Sequence, residues 1–486
     1  MTKTVALFLA LLMTAVPLAG CTGDDTELNA ANDRIGELEA QAEADQASIA
    51  ELETQAEADQ ASIAELETQA KADQASIAEL EASLAELEGL CCSTADMDEF
   101  REEGYTEGYA AGLNDGYDSG WYDGNAAGIA EATPVSTLDT ILARGSMKCG
   151  VKETQYGMGY LDAGTGVRSG LDIEYCRAIA AAIGLNPDTD IEWIPSTGSN
   201  RFDLLASGVI DVLIRTTTWT TWRDAELDAD YAAVNFYDGQ GIMVREDVFP
   251  AATAGNSATG LDGANICVAD GTTTQSNMVD WFSSRGIAFN TVDVDNGNDM
   301  RDKFRDGTCD AITGDMSAMV ATKWLLDNDG SMNGVDIWIV QELLSKEPLA
   351  SVTRDHDSEW NEIVSWVWYG MITAEEKGVT SGNYADMASN ACAPNEWGGA
   401  SDPSMCRLLA ENLGLGTTDN PLADDWMQAV LGAVGNYGEA YDRAFCDGSY
   451  DGVSGSGAMT GCLVSRTGTA NALVSEGGLQ FAPPMR

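Results

Sequence analysis

The chain has 486 residues, with 25 Lys and Arg against 79 Asp and Glu, so its formal net charge is −54. This length exceeds what one compact core can hold and indicates two or more folded units. So much negative charge repels phosphate backbones and anionic bilayer surfaces, which excludes nucleic acid as the main partner. The acidic residues are spread over the whole chain, and this is typical both of a surface adapted to high salt and of an ordinary acidic secreted protein.

Residues 1–20 are typical of a signal peptide. Lys3 precedes a mainly apolar run over 5–16 that is too short to cross a bilayer, and LAGC (18–21) follows it closely. A cysteine directly behind small residues at this place is typical of a lipoprotein processing site. We therefore predict that Cys21 carries a lipid anchor. The rest of the chain is then extracytoplasmic, in a periplasm or at the cell surface, and attached to the membrane only through that lipid.

A fourteen-residue repeat follows a linker over 21–34. ELEAQAEADQASIA begins at residue 37 and recurs with small changes at residues 51 and 65. Two heptads per repeat place Ile or Ala at position a and Leu or Asp at position d. The pattern predicts a coiled-coil stalk over 35–90 that joins several copies of the chain. A single solvated helix is the alternative, because the Asp layers weaken association.

Residues 91–134 begin with the pair Cys91-Cys92, whose fate the sequence leaves open, and carry a second repeat. Glycines recur every fourth residue from 104 to 128, and Tyr, Leu or Trp follows five of them. This period lays the glycines along one helical stripe that permits close helix–helix approach. Each helical glycine costs about 1 kcal/mol relative to alanine, so such a helix needs a partner. A flexible Gly/Tyr linker is the alternative.

From residue 135 onward, strand-like runs alternate with helical patterns. CGV (149–151), DVLI (211–214) and ICVA (266–269) are strand-like, and IEYCRAIAAAIG (173–184) has helical periodicity. Strands that alternate with helices predict an α/β fold. About 350 residues are too many for one ordinary lobe. We therefore predict two lobes around a cleft that holds a small ligand.

Eight cysteines of this region fall in sequence as four neighbouring pairs. Four local disulfides are the simplest interpretation for a chain outside the cytoplasm. Zinc ligation is the alternative, but the chain has no CxxC motif and only one histidine, His356, so we predict neither a metal nor a cofactor. The predicted disulfides are Cys149–Cys176, Cys267–Cys309, Cys392–Cys406 and Cys446–Cys462.

Nine short motifs follow one another along residues 136–486: CGV (149–151), GLDIEYCRAIAAA (170–182), DVLIRTTTWT (211–220), NFYDGQGIMVR (235–245), GTTT (271–274), SKEPL (345–349), EEKGVTS (375–381), VGNYGE (434–439) and GGLQFAPPMR (477–486). Together they resemble the solute-binding protein of general L-amino-acid ABC importers, a group of family 3 solute-binding proteins with the type 2 periplasmic binding protein fold. The resemblance implies an α/β clamp over 135–486. Lobe I would comprise 135–243 and 345–486, and lobe II 244–344.

The resemblance also implies where an amino acid binds. An α-carboxylate needs a guanidinium with hydroxyl or backbone donors, and an α-ammonium needs a carboxylate. Arg223 of WTTWR stands at the position of the family's carboxylate-binding arginine, with Thr216 and Thr218 as hydroxyl partners. Asp315 of ITGDMSA stands at that of the ammonium-binding aspartate on lobe II. Because the two charged ends are held partly by opposite lobes, ligand favours closure.

Further residues of the expected site come from the same motifs. Thr272 or Thr273 of GTTT would close over the carboxylate, and Arg215 and Trp219 match the family run RNTTWT. Thr216 stands where asparagine is usual, which leaves the side-chain preference open. For Arg215 a surface ion pair is the alternative. For Trp219 and its neighbour Trp222 the alternative is core packing.

We therefore predict a lipid-anchored receptor, not an enzyme, that delivers L-amino acids to an ABC permease and its ATPase. The same fold hosts dehydratases of amino-acid precursors, so an enzyme is one alternative. No Gly-rich phosphate loop occurs, and a single histidine gives no support for a Ser/His/Asp or Cys/His nucleophile. An amino-acid sensor or envelope scaffold is a third possibility, which fits the long stalk.

Overall fold

A computed structural model describes residues 136–332 and 334–486. The predicted signal peptide, the lipidated Cys21, the stalk over 35–90 and the segment over 91–134 lie outside the described residues. The strands are β1 (Met147–Val151), β2 (Thr154–Gln155), β3 (Gly159–Leu161), β4 (Arg168–Ser169), β5 (Ile191–Pro195), β6 (Val212–Thr218), β7 (Ala229–Arg245), β8 (Ala264–Ala269), β9 (Phe289–Val294), β10 (Ala311–Asp315), β11 (Ile337–Ile339) and β12 (Lys346–Arg354).

Helices alternate with most of these strands. They are α1 (Thr137–Arg144), α2 (Leu171–Ala182), α3 (Arg201–Ala206), α4 (Thr221–Glu226), α5 (Pro250–Gly255), α6 (Thr273–Ser283), α7 (Gly297–Asp306), α8 (Met316–Asp329), α9 (Ser358–Glu376), α10 (Tyr384–Cys392), α11 (Pro403–Ala410), α12 (Trp426–Val434) and α13 (Tyr437–Phe445). The predicted α/β class is confirmed.

The main sheet has the strand order β5-β1-β6-β12-β7-β10-β8-β9, with β11 also paired to β7. Strand β7 is shared by two halves of this sheet. The first half comprises β5, β1, β6 and β12, and the second half comprises β10, β8, β9 and β11. From Ala229 to Gly239 β7 pairs antiparallel with β12, and from Gln240 to Val244 with β10. The pairing partner therefore changes between residues 239 and 240. This arrangement produces the two-lobed fold. We propose that the first lobe boundary lies here rather than at 243.

Each half of the sheet is covered on its faces by apolar side chains. In the second half, Ile242 and Val244 belong to one buried cluster and Met243 to another. Successive side chains of a strand point to opposite faces, so these two clusters cover the two faces of this half. In the first half, α2 packs against α12 and α13 within a larger core. Almost all residues of α2 are buried, which explains its run of Ala and Ile.

Local signals fix the ends of individual helices. α13 begins with a capping box, in which Asn436 and Glu439 each bond the other's backbone N–H at 3.0 and 2.8 Å. α2 begins after Gly170, whose φ is 117° and whose Cα lies so close to the Met158 carbonyl that a Cβ would overlap it. Only glycine fits this position, because both the dihedral angle and the close approach exclude a side chain.

The structure contains the four predicted disulfides with the predicted pairing. Cys149–Cys176 joins β1 to α2 in the first half of the sheet, and Cys267–Cys309 joins β8 to the segment before β10 in the second half. Cys392–Cys406 joins α10 to α11, and Cys446–Cys462 follows α13. The zinc alternative for these eight residues is therefore wrong, because none of their sulfurs is free to bind a metal.

Removal of a disulfide should lower stability, and the loss should be larger for a disulfide that closes a longer loop. Cys267 and Cys309 are 42 residues apart, and Cys392 and Cys406 are 14 apart. The entropy of loop closure predicts losses of about 4 and about 3 kcal/mol for the respective double serine variants. Urea unfolding measures both losses. An unchanged unfolding midpoint for the Cys267/Cys309 variant would contradict the bridge.

Candidate functional site

A cavity of about 320 Å³ lies where the two halves of the sheet meet. The first half contributes the segment after β1, the start of α3 and the end of β6. The second half contributes the start of α6, the end of β10 and part of α8. Ligand sites of two-lobed α/β proteins lie at such junctions, because strand ends and helix starts present polar groups there.

Seven of the eight predicted ligand-binding residues line this one cavity. Trp219 does not line it, because its ring stacks on that of Tyr231 with centroids 5.5 Å apart and remains 40% exposed. The expected ligand contact of Trp219 stays a prediction. The core-packing alternative is also wrong for Trp222, which is largely exposed. The seven that line the cavity are Arg215, Thr216, Thr218, Arg223, Thr272, Thr273 and Asp315.

Arg223 is positioned by the short helix α4. The Thr220 hydroxyl caps this helix by accepting the Arg223 backbone N–H at 3.3 Å, and Arg223 Nη1 donates to the Thr218 carbonyl at 3.0 Å. The guanidinium lies 5.4 Å from the centre of the Phe202 ring. Burial lowers the pKa of Arg223. The side chain is thus buried and held at one end, and its remaining N–H groups are available to an anion.

Glu347, which no sequence argument singled out, organises the threonines from both halves of the sheet. Thr218 and Thr273 lie 3.3 Å apart, and both hydroxyls lie within hydrogen-bond distance of Glu347 Oε2. Asn277 Nδ2 donates to the other carboxylate oxygen at 2.8 Å. Burial raises the pKa of Glu347. A threonine hydroxyl that donates to Glu347 must turn toward the cavity before it can bind a carboxylate.

Asp315 ends β10 and is buried at the cavity wall. Asp238, on β7 at the change of pairing partner, accepts the Gly239 N–H at 2.8 Å and the Ser317 N–H at 3.3 Å. Burial, and then the negative charge of Asp315, raise the pKa of Asp238 to about 7. Two carboxylates thus lie close together at the junction of the lobes, and a cation between them would stabilise both.

Lys152 and Arg201 also line the cavity, although the sequence analysis did not single them out. Lys152 follows β1 directly, and its Nζ donates to Gln155 Oε1 at 2.7 Å. Burial, and then the positive charge of Arg215, lower the pKa of Lys152 to about 8. Arg201 is 2% exposed and begins α3. Their position directly after a strand and at the start of a helix is the sequence signal that could have found them.

Contacts beside the cavity hold the two halves against each other. Gln155 Nε2 donates to Ser317 Oγ at 2.9 Å, and Arg301 Nη1 donates to the Thr154 carbonyl at 3.3 Å. The Tyr156 and Trp324 rings stack with centroids 5.0 Å apart. Residues 154–156 thus contact the second half of the sheet, so the structure is closed around the cavity.

Stability should depend on pH through Asp238. Its folded pKa of about 7 lies above the ordinary 3.8, so the folded state holds a proton that the unfolded chain has lost between those values. Stability contributed by this proton is lost as pH rises from about 4 to about 7. Asp238→Asn should reduce that loss in ligand-free protein, as thermal unfolding at successive pH values measures. Asp280→Asn, at an exposed position of α6, is the control, and an equal effect of both would contradict this prediction.

Among the described residues, no helix is both long and apolar enough to span a bilayer. The sequence profile of the bacterial extracellular solute-binding proteins, family 3, matches residues 147–325. The chain is 37% identical to a glutamate/glutamine/aspartate/asparagine-binding protein of Rhodobacter capsulatus, over 74% of this chain and 96% of that one. It is 36% identical to a general L-amino acid-binding periplasmic protein of Rhizobium johnstonii, over 74% and 95%.

A solved structure of similar sequence also matches. It is an ABC transporter periplasmic binding protein from Brucella ovis with glutathione bound. The sequences are 35% identical, the TM-score is 0.61, and the match covers 73% of this chain and 100% of the Brucella chain.

Proposed function

Because the chain belongs to the bacterial extracellular solute-binding proteins of family 3, we propose that it is a receptor that binds an L-amino acid between its lobes. It delivers this amino acid to an ABC permease and its ATPase. The relatives named above are binding proteins of amino acids, which supports this role. Their extracytoplasmic location supports the same location here.

The convergence of Arg223 and Asp315 on one cavity carries the proposal. An amino acid presents a carboxylate and an ammonium about one carbon apart, and it needs a cation and a carboxylate on facing walls. Arg223 reaches the cavity from α4 beyond β6, and Asp315 reaches it from β10 on the other half of the sheet. The α-carboxylate binds Arg223 and the threonines, and the α-ammonium binds Asp315. Because the ligand bridges both halves, it stabilises the closed arrangement.

We propose binding without catalysis. His356, the one histidine of the chain, has a side chain that is 86% exposed and does not line the cavity, so it cannot serve as a base there. The cavity carboxylate Asp315 has the task of holding an ammonium. Mass spectrometry of a bound amino acid after long incubation tests this, and a change of its mass would favour the dehydratase alternative.

The N-terminal quarter has an architectural role in this proposal. Cys21 carries the lipid anchor, and residues 35–90 form a coiled coil that holds several receptors beside the transporter. The repeated Ile and Leu positions support association, because they bury little apolar surface unless another helix faces them. A sensor or envelope scaffold would use the same stalk but would not deliver ligand to a permease.

Association of several chains through the stalk should increase the molar mass measured by light scattering. We expect residues 22–486 to form oligomers in light scattering at high micromolar concentration and high salt, since salt screens the acidic surface. Residues 135–486 alone should be monomeric under the same conditions. A strict monomer for the longer chain would overturn the coiled-coil proposal and make the segment a simple spacer.

Substitution of Arg223 or Asp315 should weaken the binding of every L-amino acid to a similar extent. Loss of one partner of a buried charge pair typically costs 2–5 kcal/mol, so Arg223→Ala and Asp315→Ala should lower affinity by at least about 30-fold. Isothermal titration calorimetry with several L-amino acids measures this. Arg285→Ala and Asp280→Ala, outside the cavity, are the matched controls. Near-normal affinity in Arg223→Ala would mean that the carboxylate site lies elsewhere.

A further inference from the structure

The cavity holds more positive charge than one α-carboxylate can use. Four basic side chains line it, namely Lys152, Arg201, Arg215 and Arg223, in a chain that has only 25 Lys and Arg. Arg223 is assigned to the α-carboxylate in the function proposed above. Lys152, Arg201 and Arg215 then have no assigned anion, and we name these three side chains the cationic cluster.

No carboxylate of the described residues is in direct contact with this cluster. Within 136–332 and 334–486, none of its members has a Lys/Arg–Asp/Glu contact within 4.0 Å, although nine arginine and lysine residues elsewhere form such pairs. The surface ion pair considered for Arg215 is therefore absent. Burial makes this lack of a partner costly. Arg201 is 2% and Arg215 8% exposed, and the Nε of each has no hydrogen-bond partner among these residues.

The carboxylates around the cavity are committed elsewhere. Asp172, behind β6, accepts the Thr216 N–H at 3.1 Å and Asn235 Nδ2 at 3.0 Å. Glu153 pairs with Arg168. Glu347 accepts hydrogen bonds from the threonines and Asn277, and Asp295 is exposed at the rim. Asp315 is the carboxylate that the ligand's ammonium needs.

We propose that the cationic cluster is a second anion site, which binds a second carboxylate of the ligand. The preferred ligands are then dicarboxylic amino acids, with two carboxylates, one ammonium and a net charge of −1. This inference rests on the proposed function and narrows its substrate class. Each member has donors to spare: Lys152 uses one of its three N–H groups on Gln155, and Arg201 and Arg215 present planar forks suited to a carboxylate.

Two kinds of ligand carry a second carboxylate beside the amino-acid group. A short dicarboxylate such as glutamate carries its second carboxylate two methylenes from the α-carbon. A γ-glutamyl peptide such as glutathione carries it farther away, at the end of the peptide. Both are bound at the amino-acid end by Arg223 and Asp315, and they differ in how far the cationic cluster must reach.

The test compares L-glutamate with L-glutamine, which match in shape and differ in the second carboxylate. Calorimetry on the mature chain should give at least about 10-fold tighter binding of glutamate, or about 1.4 kcal/mol. In Arg201→Gln the affinity for glutamate should fall about 10-fold or more while that for glutamine changes less than about 3-fold. Arg201→Lys should retain part of the preference, and Arg285→Gln all of it.

The half-buried Lys152 provides a second variant if Arg201→Gln fails to fold. Lys152→Gln should reduce the preference for glutamate in the same direction. L-aspartate and glutathione are titrated in parallel, and a ligand among them that binds as tightly as glutamate or tighter identifies the length that the site accepts. Equal affinity of the wild-type chain for glutamate and glutamine, with no tighter binding of L-aspartate or glutathione, overturns the second anion site and leaves the receptor function intact. Failure to bind any L-amino acid or glutathione overturns the receptor function itself.

Discussion

The pairing of β7 with β12 is the contact that brings the ends of β6 and β10 to the cavity. β12 lies between β6 and β7, so it sets where β6 ends with Arg215, Thr216 and Thr218. β7 continues past this pairing into the other half of the sheet and aligns β10, whose last residue is Asp315. A shift of β7 by one residue would turn every side chain of this strand to the opposite face. The cavity is thus defined by backbone hydrogen bonds before any side chain contributes.

Buried charge without a protein partner gives this cavity its chemistry. Desolvation of a guanidinium costs several kcal/mol unless an anion compensates it, and among the described residues no carboxylate contacts Arg201 or Arg215 directly. These buried charges therefore destabilise the ligand-free closed state, and the ligand that we propose would offset this cost. The same ligand would contact both halves of the sheet, so its binding energy would favour closure. The same unpaired buried charge would thus favour both ligand binding and closure of the two lobes.

Sequence reasoning found the residues whose role follows from a motif and missed those whose role follows from burial. The order of the cysteines predicted all four disulfides, because each pair closes a short or moderate loop within one half of the fold. Arg223 and Asp315 lie in recognisable motifs, and both line the cavity. Lys152 and Arg201 were missed, because a basic residue looks alike in sequence whether or not a carboxylate neutralises it. Glu347 lay in a motif that was recognised, but its hydrogen bonds join segments that are 70 or more residues apart.

The chain is strongly acidic whereas its cavity is lined by basic groups, and this contrast affects how fast a ligand arrives. An anion that approaches from afar first meets the repulsive field of the acidic surface, and it meets the attractive side chains only at the entrance. Salt shortens the reach of the outer field, from about 10 Å at 0.1 M to about 3 Å at 1 M, but acts far less on contacts inside a closed cavity. For an anionic ligand the association rate should therefore rise with ionic strength, whereas most electrostatically guided encounters become slower. A protein with this charge arrangement captures anions best in brine.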